Sequence, residues 1–393
     1  MIYINEENSL VIKSWCNNVE EGAIAQAKNL ARLPFAFRQI CLMPDAHQGY
    51  GMPIGGVMAT QDVIVPNAVG VDIGCGMCAV RTSLTDISIE SLKFVLKGIR
   101  ERTPVGFNKH PHYTHQELGS MPLTAHFLST LKDSVVDREF GNALVSLGTL
   151  GGGNHFIEIQ KGDGRIWIMI HSGSRNLGKQ VADHYNKKAI ELNERYFSKV
   201  PKEWQLAFLP VDSQEGQAYQ TEMQYCVDFA FKNRSLMMER IKQCFNEVVD
   251  DHIEFGDTIN IAHNYARLEN HFGKNVWVHR KGATSARLGE TGIIPGSQGT
   301  SSYIVEGLGN PESFTSCSHG AGRAMGRKEA ERTLNLEEEQ KRLDDKGILH
   351  SVRGIHDLDE AAGAYKDIDV VMEEQKDLVK IITRLEPLAV VKG

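Results

Sequence analysis

The chain has 393 residues, 41% of them hydrophobic and 24% charged, so it can bury a large core in the manner of an ordinary globular protein. A net charge of −7 excludes a molecule that attracts nucleic acid by its overall field, although a local basic groove is compatible with that total. No run approaches the ~20 apolar residues that span a bilayer, so no membrane partner is expected.

The chain start, MIYINEENSLVIKSWC, has neither the basic nor the apolar region of a signal peptide. GAIAQAKNLARL (22–33) has helical apolar spacing, as does SIESLKFVLKGIRERT (88–103). HFIEIQ, KGDG and RIWIMIH (155–171) read as a β-hairpin that ends in a glycine loop. LGKQVADHYNKKAIELNERYF follows as a helix, and 216–249 as a long helical region. Residues 324–346 read as one polar, solvated helix, and the tail IDVVMEEQKDLVKIITRL as amphipathic, ending in EPLAVVKG. The 37 glycines cluster between these elements, at 45–56, 69–77, 147–154, 171–178, 294–299 and 318–323. Such clusters let a backbone turn tightly or approach a ligand. The expected fold is mixed α+β: one continuous domain with a β-sheet core, flanking helices and glycine-rich loops. Seven cysteines at irregular spacing point to reduced thiols and a cytoplasmic protein.

The stretch VGVDIGCGMCAV (69–80) holds one aspartate and two cysteines among apolar residues. It admits three readings: a redox CxxC pair of Cys75 and Cys78, half of a structural zinc knuckle, or a metal site that uses one sulfur. The first requires a helix opening at the cysteines, and the chain returns instead to AVRTSL. The second requires another paired motif, and none is present. Four histidines, His155, His171, His263 and His319, each stand beside glycine or a small polar residue at a strand end. With Asp72 and Cys75 they offer a mixed O/S/N donor set suited to a divalent transition metal.

A second constellation suits phosphate. HSGSRNLG lies between a strand and a helix and can present backbone N–H groups. VHRKGATSARLG (278–289) concentrates Arg280, Lys281 and Arg287, and Arg323 follows His319. Neither the P-loop pattern nor the dinucleotide fingerprint occurs.

The motifs MPDAHQGYGMPIGG, VGVDIGCGM, GTLGGGNHFIEI, HSGSR, HNY, RKGA, PGSQG, SCSHGAGR, AYKDID and a terminal VKG occur in the order found in the RtcB family of RNA ligases, which the chain resembles from Pro44 to Gly393. The resemblance implies a single RtcB-like ligase domain over 1–393, with a helical insertion at about 179–250. It implies an enzyme that joins an RNA 3′-phosphate or 2′,3′-cyclic phosphate to a 5′-hydroxyl with GTP and manganese(II), in tRNA splicing or RNA repair. Carried onto these positions, one of two manganese ions is held by Asp72, Cys75 and His155, and the other by Cys75, His171 and His263. Cys78 lies outside the pattern. His319 becomes the nucleophile that carries GMP before the RNA 3′-phosphate takes it. Guanylate contacts fall on Asn154, Glu158, Ser297, Arg323, Tyr365 and Lys392, while Lys281 faces a phosphate or the carboxylates. Asp45 and His47 are expected beside the metals or at the RNA end, and Arg175, Arg280 and Arg287 on an RNA track. An archease-like activator is a further partner within this reading.

Two departures stand out. Gln298 replaces the methionine usual in PGSxG, and 104–135 differs from the housekeeping branch, as a repair ligase with a restricted target would. The rival readings are a manganese-dependent phosphoesterase that heals RNA ends and a non-catalytic RNA-binding protein.

Overall fold

A computed structural model describes residues 1–121, 131–249 and 252–393. Part of the divergent 104–135 stretch therefore lies outside the described residues.

Two large sheets organise the mixed α/β chain. The first has six strands in the order Ile2–Ile4, Val11–Ser14, Ala36–His47, Ile54–Thr60, Lys274–Lys281 and Asn264–His271. Val11–Ser14 runs parallel to Ala36–His47, and the Glu21–Ala31 helix makes the crossover. The second sheet has seven strands, in the order Ile259–Ala262, Gly76–Arg81, Arg165–Ser172, Phe156–Gly162, Val379–Lys392, Ser302–Gly307 and Thr291–Ile294.

The hairpin expected at 155–171 forms. Asp163 (φ 52°) and Gly164 (φ 66°) close it, the paired left-handed conformations that match a hairpin's twist. Its two faces are both buried, against different partners. Ile166, Ile168 and Ile170 pack on the apolar stripe of the long Gln214–Val248 helix, through Met237, Ile241 and Phe245. Trp167 and Met169 face the other way, toward Ile293, Ile304 and Val390. Strand periodicity of two continues that second face into His171. The register then aligns polar groups on it. Phe156 pairs with His171 and Lys392, and Glu158 pairs with Met169 and Val390.

The long helix begins at Ser213, whose side chain accepts from Gly216 N–H, and the helix before it covers Arg175–Arg195. A short Leu209–Pro210 strand between them pairs with Val63–Ile64, so this region is not purely helical. The single polar helix expected at 324–346 is two. Arg327–Thr333 ends, and Asn335 caps a second helix, Leu336–Asp344, by accepting from Glu337 and Glu338 N–H. The amphipathic tail also divides. Ile368–Glu374 is helical, whereas Val379–Lys392 is a strand in the middle of the second sheet. Its β-branched residues are satisfied by two strand neighbours.

Gly76 shows how tightly the metal-loop strand is held. A β-carbon there would overlap the carbonyl oxygen of Ile261 on the paired strand. Gly76→Ala is expected to cost about 1–3 kcal/mol or more by overpacking, read as a lowered unfolding temperature, whereas Gly164→Ala in the open hairpin turn strains only a local left-handed residue.

Candidate active site

Five predicted metal-binding residues arrive from four segments and meet. Cys75 Sγ lies 3.4 Å from His155 Nε2 and 3.3 Å from His171 Nε2. His155 Nε2 is 3.1 Å from Asp72 Oδ2, and His171 Nε2 is 3.4 Å from His263 Nε2. The outward nitrogens are occupied elsewhere: His155 Nδ1 bonds Leu150 O at 2.9 Å and His171 Nδ1 bonds Asn154 O at 3.0 Å. Those carbonyls can only accept, so each Nδ1 carries the proton and each Nε2 turns a lone pair inward. Cys75, His155 and His171 form a candidate metal site, all three buried.

Several features fit a cation there. Asp72 Oδ1 is buried without a hydrogen-bond partner among the described residues. Gly173 leaves room for that carboxylate, since a β-carbon would collide with it. Burial, with Asp72 beside it, pushes the Cys75 thiol far above its ordinary range, so its thiolate form calls for a positive charge at the sulfur. Cys78 faces the apolar core instead, where burial raises its thiol to about 12.

The glycine loops are fastened to the long helix by two residues that the sequence reading missed. Asn233 Oδ1 accepts from Gly148 N–H at 2.7 Å, and its Nδ2 donates to Thr149 O and Gly173 O, each at 3.2 Å. Arg234 Nη1 donates to Gly74 O and Ser172 O, both at 2.9 Å, and Nε donates to Asn260 Oδ1 at 2.7 Å. Both side chains are fully buried. A signal existed: a polar pair interrupts the apolar spacing Met223, Cys226, Ala230, Met237, Ile241 on the buried helix face. HNY also has a structural role. His263 N–H donates to Cys75 O, and Asn264 bonds Asp72 O, Gly74 N–H and Gly282 N–H.

His319 stands beside the metal cluster, its ring centroid 4.8 Å from that of His263. Its Nδ1 donates to Asp45 Oδ2 at 2.6 Å, and Asp45 also accepts from the backbone N–H of His319 and Gly320. Burial alone would raise the Asp45 carboxyl, but the charge and hydrogen bond of His319 hold it below the usual carboxylate range. Asp45 therefore orients His319, and being fully buried it does not line an RNA surface as expected.

An open cleft adjoins His319. Asn154, Glu158, Ser297, Arg323, Tyr365 and Lys392 all line it. Lys281 does not. Its Nζ is spent on Tyr50 O (2.6 Å) and Asn67 O (3.0 Å), and burial lowers its pKa to about 7. Glu360, which nothing in the sequence singles out, ties the wall together. It bonds Tyr365 Oη, and its carboxylate lies 3.2 Å from Arg323 and 2.8 Å from Arg327. Lys392 Nζ is 3.7 Å from the same carboxylate. Gln298 donates to Glu360 O at 2.8 Å, a bond methionine could not make. Burial raises the Glu158 carboxyl to about 8, against the smaller lowering by Gln160 and Lys392.

The basic residues separate. Arg280 is fully buried, pairs with Glu269 at 2.6 Å, and donates to Ser316 Oγ and Phe314 O. It cannot contact RNA; it braces the strand that carries His319. Arg175 opens its helix at φ 59° and donates to Thr149 Oγ1 and Gly106 O, with its charge acting on Asp72 and Cys75. Arg287 is half-exposed, 3.5 Å from Glu269.

Comparison with known proteins gives a consistent result. The family model described as "tRNA-splicing ligase RtcB" matches residues 26–393. The "RNA-splicing ligase RtcB" of Escherichia coli K12 is 37% identical over 408 residues, covering 97% of each chain. The "tRNA-splicing ligase RtcB" of Thermococcus kodakarensis is 31% identical, over 95% of this chain and 92% of its own. The "RNA-splicing ligase RtcB" of Mycobacterium bovis is 33% identical, over 94% of this chain and 100% of its own.

Two outcomes follow from this geometry. In titrations with cobalt(II), read by thiolate-to-metal absorption, Cys75→Ala should lose the band, and Arg234→Met should weaken binding by roughly 10- to 100-fold. Glu158 has a raised folded-state pKa, so its contribution to stability is complete below the unfolded value and is lost as pH rises through about 8. Melting curves of Glu158→Gln and wild type should therefore diverge in the variant's favour between about pH 4.5 and pH 8.

Proposed function

Because the chain belongs to the RtcB family and is an RNA ligase, we propose that it joins RNA 3′-phosphate or 2′,3′-cyclic phosphate ends to 5′-hydroxyl ends, consuming GTP at His319 with two manganese(II) ions at the Cys75 cluster. The observation that carries this reading is the fixed tautomer of His319. Its Nδ1–H is committed to Asp45, which leaves the Nε2 lone pair free beside both the cluster and the open cleft.

His319 Nε2 attacks the α-phosphorus of GTP and pyrophosphate leaves. Asp45 offsets the positive charge that develops on the imidazole while holding the Nδ1 proton. An oxygen of the RNA 3′-phosphate then attacks the same phosphorus, and His319 departs as neutral imidazole. The 5′-hydroxyl attacks the RNA phosphorus, GMP leaves, and the phosphodiester is complete; a cyclic end is first opened to the 3′-phosphate. When bound, the divalent cations supply Lewis-acid neutralisation of phosphate charge. Asp72, Cys75 and His155 would hold one and Cys75, His171 and His263 the other. Glu158 and Lys392 suit the guanine edge, Asn154 a phosphate, and Arg323 with Tyr365 the base and its wall. Seven free, buried cysteines suit a reducing cytoplasm. In a phosphoesterase the same imidazole would act as a general acid or base and carry no nucleotide, which the labelling test below distinguishes.

The test is incubation with α-labelled GTP and manganese. Acid-labile label is expected on wild type and none on His319→Ala, with Asp45→Asn labelled about 10²- to 10⁴-fold more slowly. Label that persists in His319→Ala would remove the assignment. Joining of a cyclic-phosphate RNA to a 5′-hydroxyl RNA only when GTP is present completes it.

A further inference from the structure

Phe107 is the most exposed large apolar side chain among the described residues, at 104% of its reference area. Its backbone, however, is pinned on both sides. Val105 bridges Gly151, Gly106 N–H donates to Gly151 O at 2.8 Å, and Asn108 N–H returns to Val105 O at 3.2 Å. His110 N–H then anchors on Val145 O at 3.0 Å. The ring thus stands in solvent on a fixed base.

Its position is specific. Gly151, to which Gly106 is bonded, lies against the metal-site loop: a β-carbon there would sit 2.7 Å from His155 Nδ1 and would strike Arg175. Arg175 Nη2 also donates to Gly106 O at 3.1 Å. On the other side, a β-carbon at Gly393 would lie 2.9 Å from Gly106 N, and Gly393 adjoins Lys392 of the nucleotide cleft. Phe107 is therefore one residue from the point where the metal loop, Arg175 and the nucleotide strand meet. Lys109 is exposed beside it. It reaches only Asn142 Oδ1, at 3.4 Å, and has no carboxylate partner among the described residues.

We propose that Phe107 is a stacking platform for a nucleobase of the RNA strand whose end enters the metal centre, with Lys109 placed for a backbone phosphate. This rests on the ligation reading above. Every base has a π-face, so one rigidly based ring can hold a strand end without reading its sequence, whereas a protein partner needs a far larger surface than one ring offers. A base stacked there, one residue from the contact with the metal-site loop, orients the strand end and lowers the entropy lost on reaction.

The test uses a 3′-phosphate RNA carrying 2-aminopurine in its terminal nucleotides. Wild type should quench the fluorophore on binding, and Phe107→Ala should not. In ligation, Phe107→Ala should raise KM for RNA by roughly 5- to 100-fold with a much smaller change in kcat. Phe107→Trp should restore both readouts. Phe197→Ala, which removes a ring 91% exposed and outside the site, should change neither. An unchanged melting curve for Phe107→Ala would show that the fold is intact. Wild-type KM and quenching in Phe107→Ala, or a defect that Phe107→Trp does not repair, would overturn the proposal. A wild type that quenches but never joins RNA overturns the ligation reading and keeps the stacking site; one that joins without quenching removes the stacking site alone.

Discussion

Two adjacent side chains on one helix hold the chemistry in place. Asn233 and Arg234 bond backbone groups of three glycine loops, at Gly74, at Gly148 and Thr149, and at Ser172 and Gly173. Each loop delivers metal-site residues: Asp72 and Cys75, His155, and His171. Glycine-rich loops have many accessible conformations and lose much entropy on ordering. Buried amide and guanidinium donors offset that cost by making every alternative loop position leave a carbonyl unsatisfied. Burial lowers the Arg234 pKa only to about 10, so it stays cationic at neutral pH behind the Cys75 and Asp72 pair.

The same economy of means appears at His319. Arg280 and Glu269 form a buried ion pair, and the remaining guanidinium donors brace the strand that ends at His319. One oxygen of Asp45 then sets both the backbone and the ring of His319. Polar groups buried at this depth are satisfied in one arrangement of the surrounding strands, and that arrangement aims the imidazole.

Local patterns made much of this legible. The hairpin at 155–171, the helices at 22–33 and 88–103 and the long helix were written in apolar spacing, and the histidines at strand ends pointed to the cluster. What escaped was decided by partners distant in the chain. The amphipathic tail did not show that Val379–Lys392 pairs with two distant strands, and the polar run at 324–346 breaks where Asn335 finds two backbone donors. Arg280 looked like a nucleic-acid contact because a charge in a basic run carries no mark of burial; Glu269 claims it. Glu360 was invisible for the converse reason, since its importance lies in Tyr365, Arg323, Arg327 and Lys392, three of them far from it in sequence.

The Val379–Lys392 strand lies between Phe156–Gly162 and Ser302–Gly307, both encoded well before it. The two halves of that sheet must wait for a late segment to unite them, a long-range closure that slows assembly. Until it inserts, Glu158 has no neighbour on that side and Lys392 is absent from the cleft. The face of the cleft that holds Glu158 and Lys392 is thus completed by the same pairing that unites the sheet.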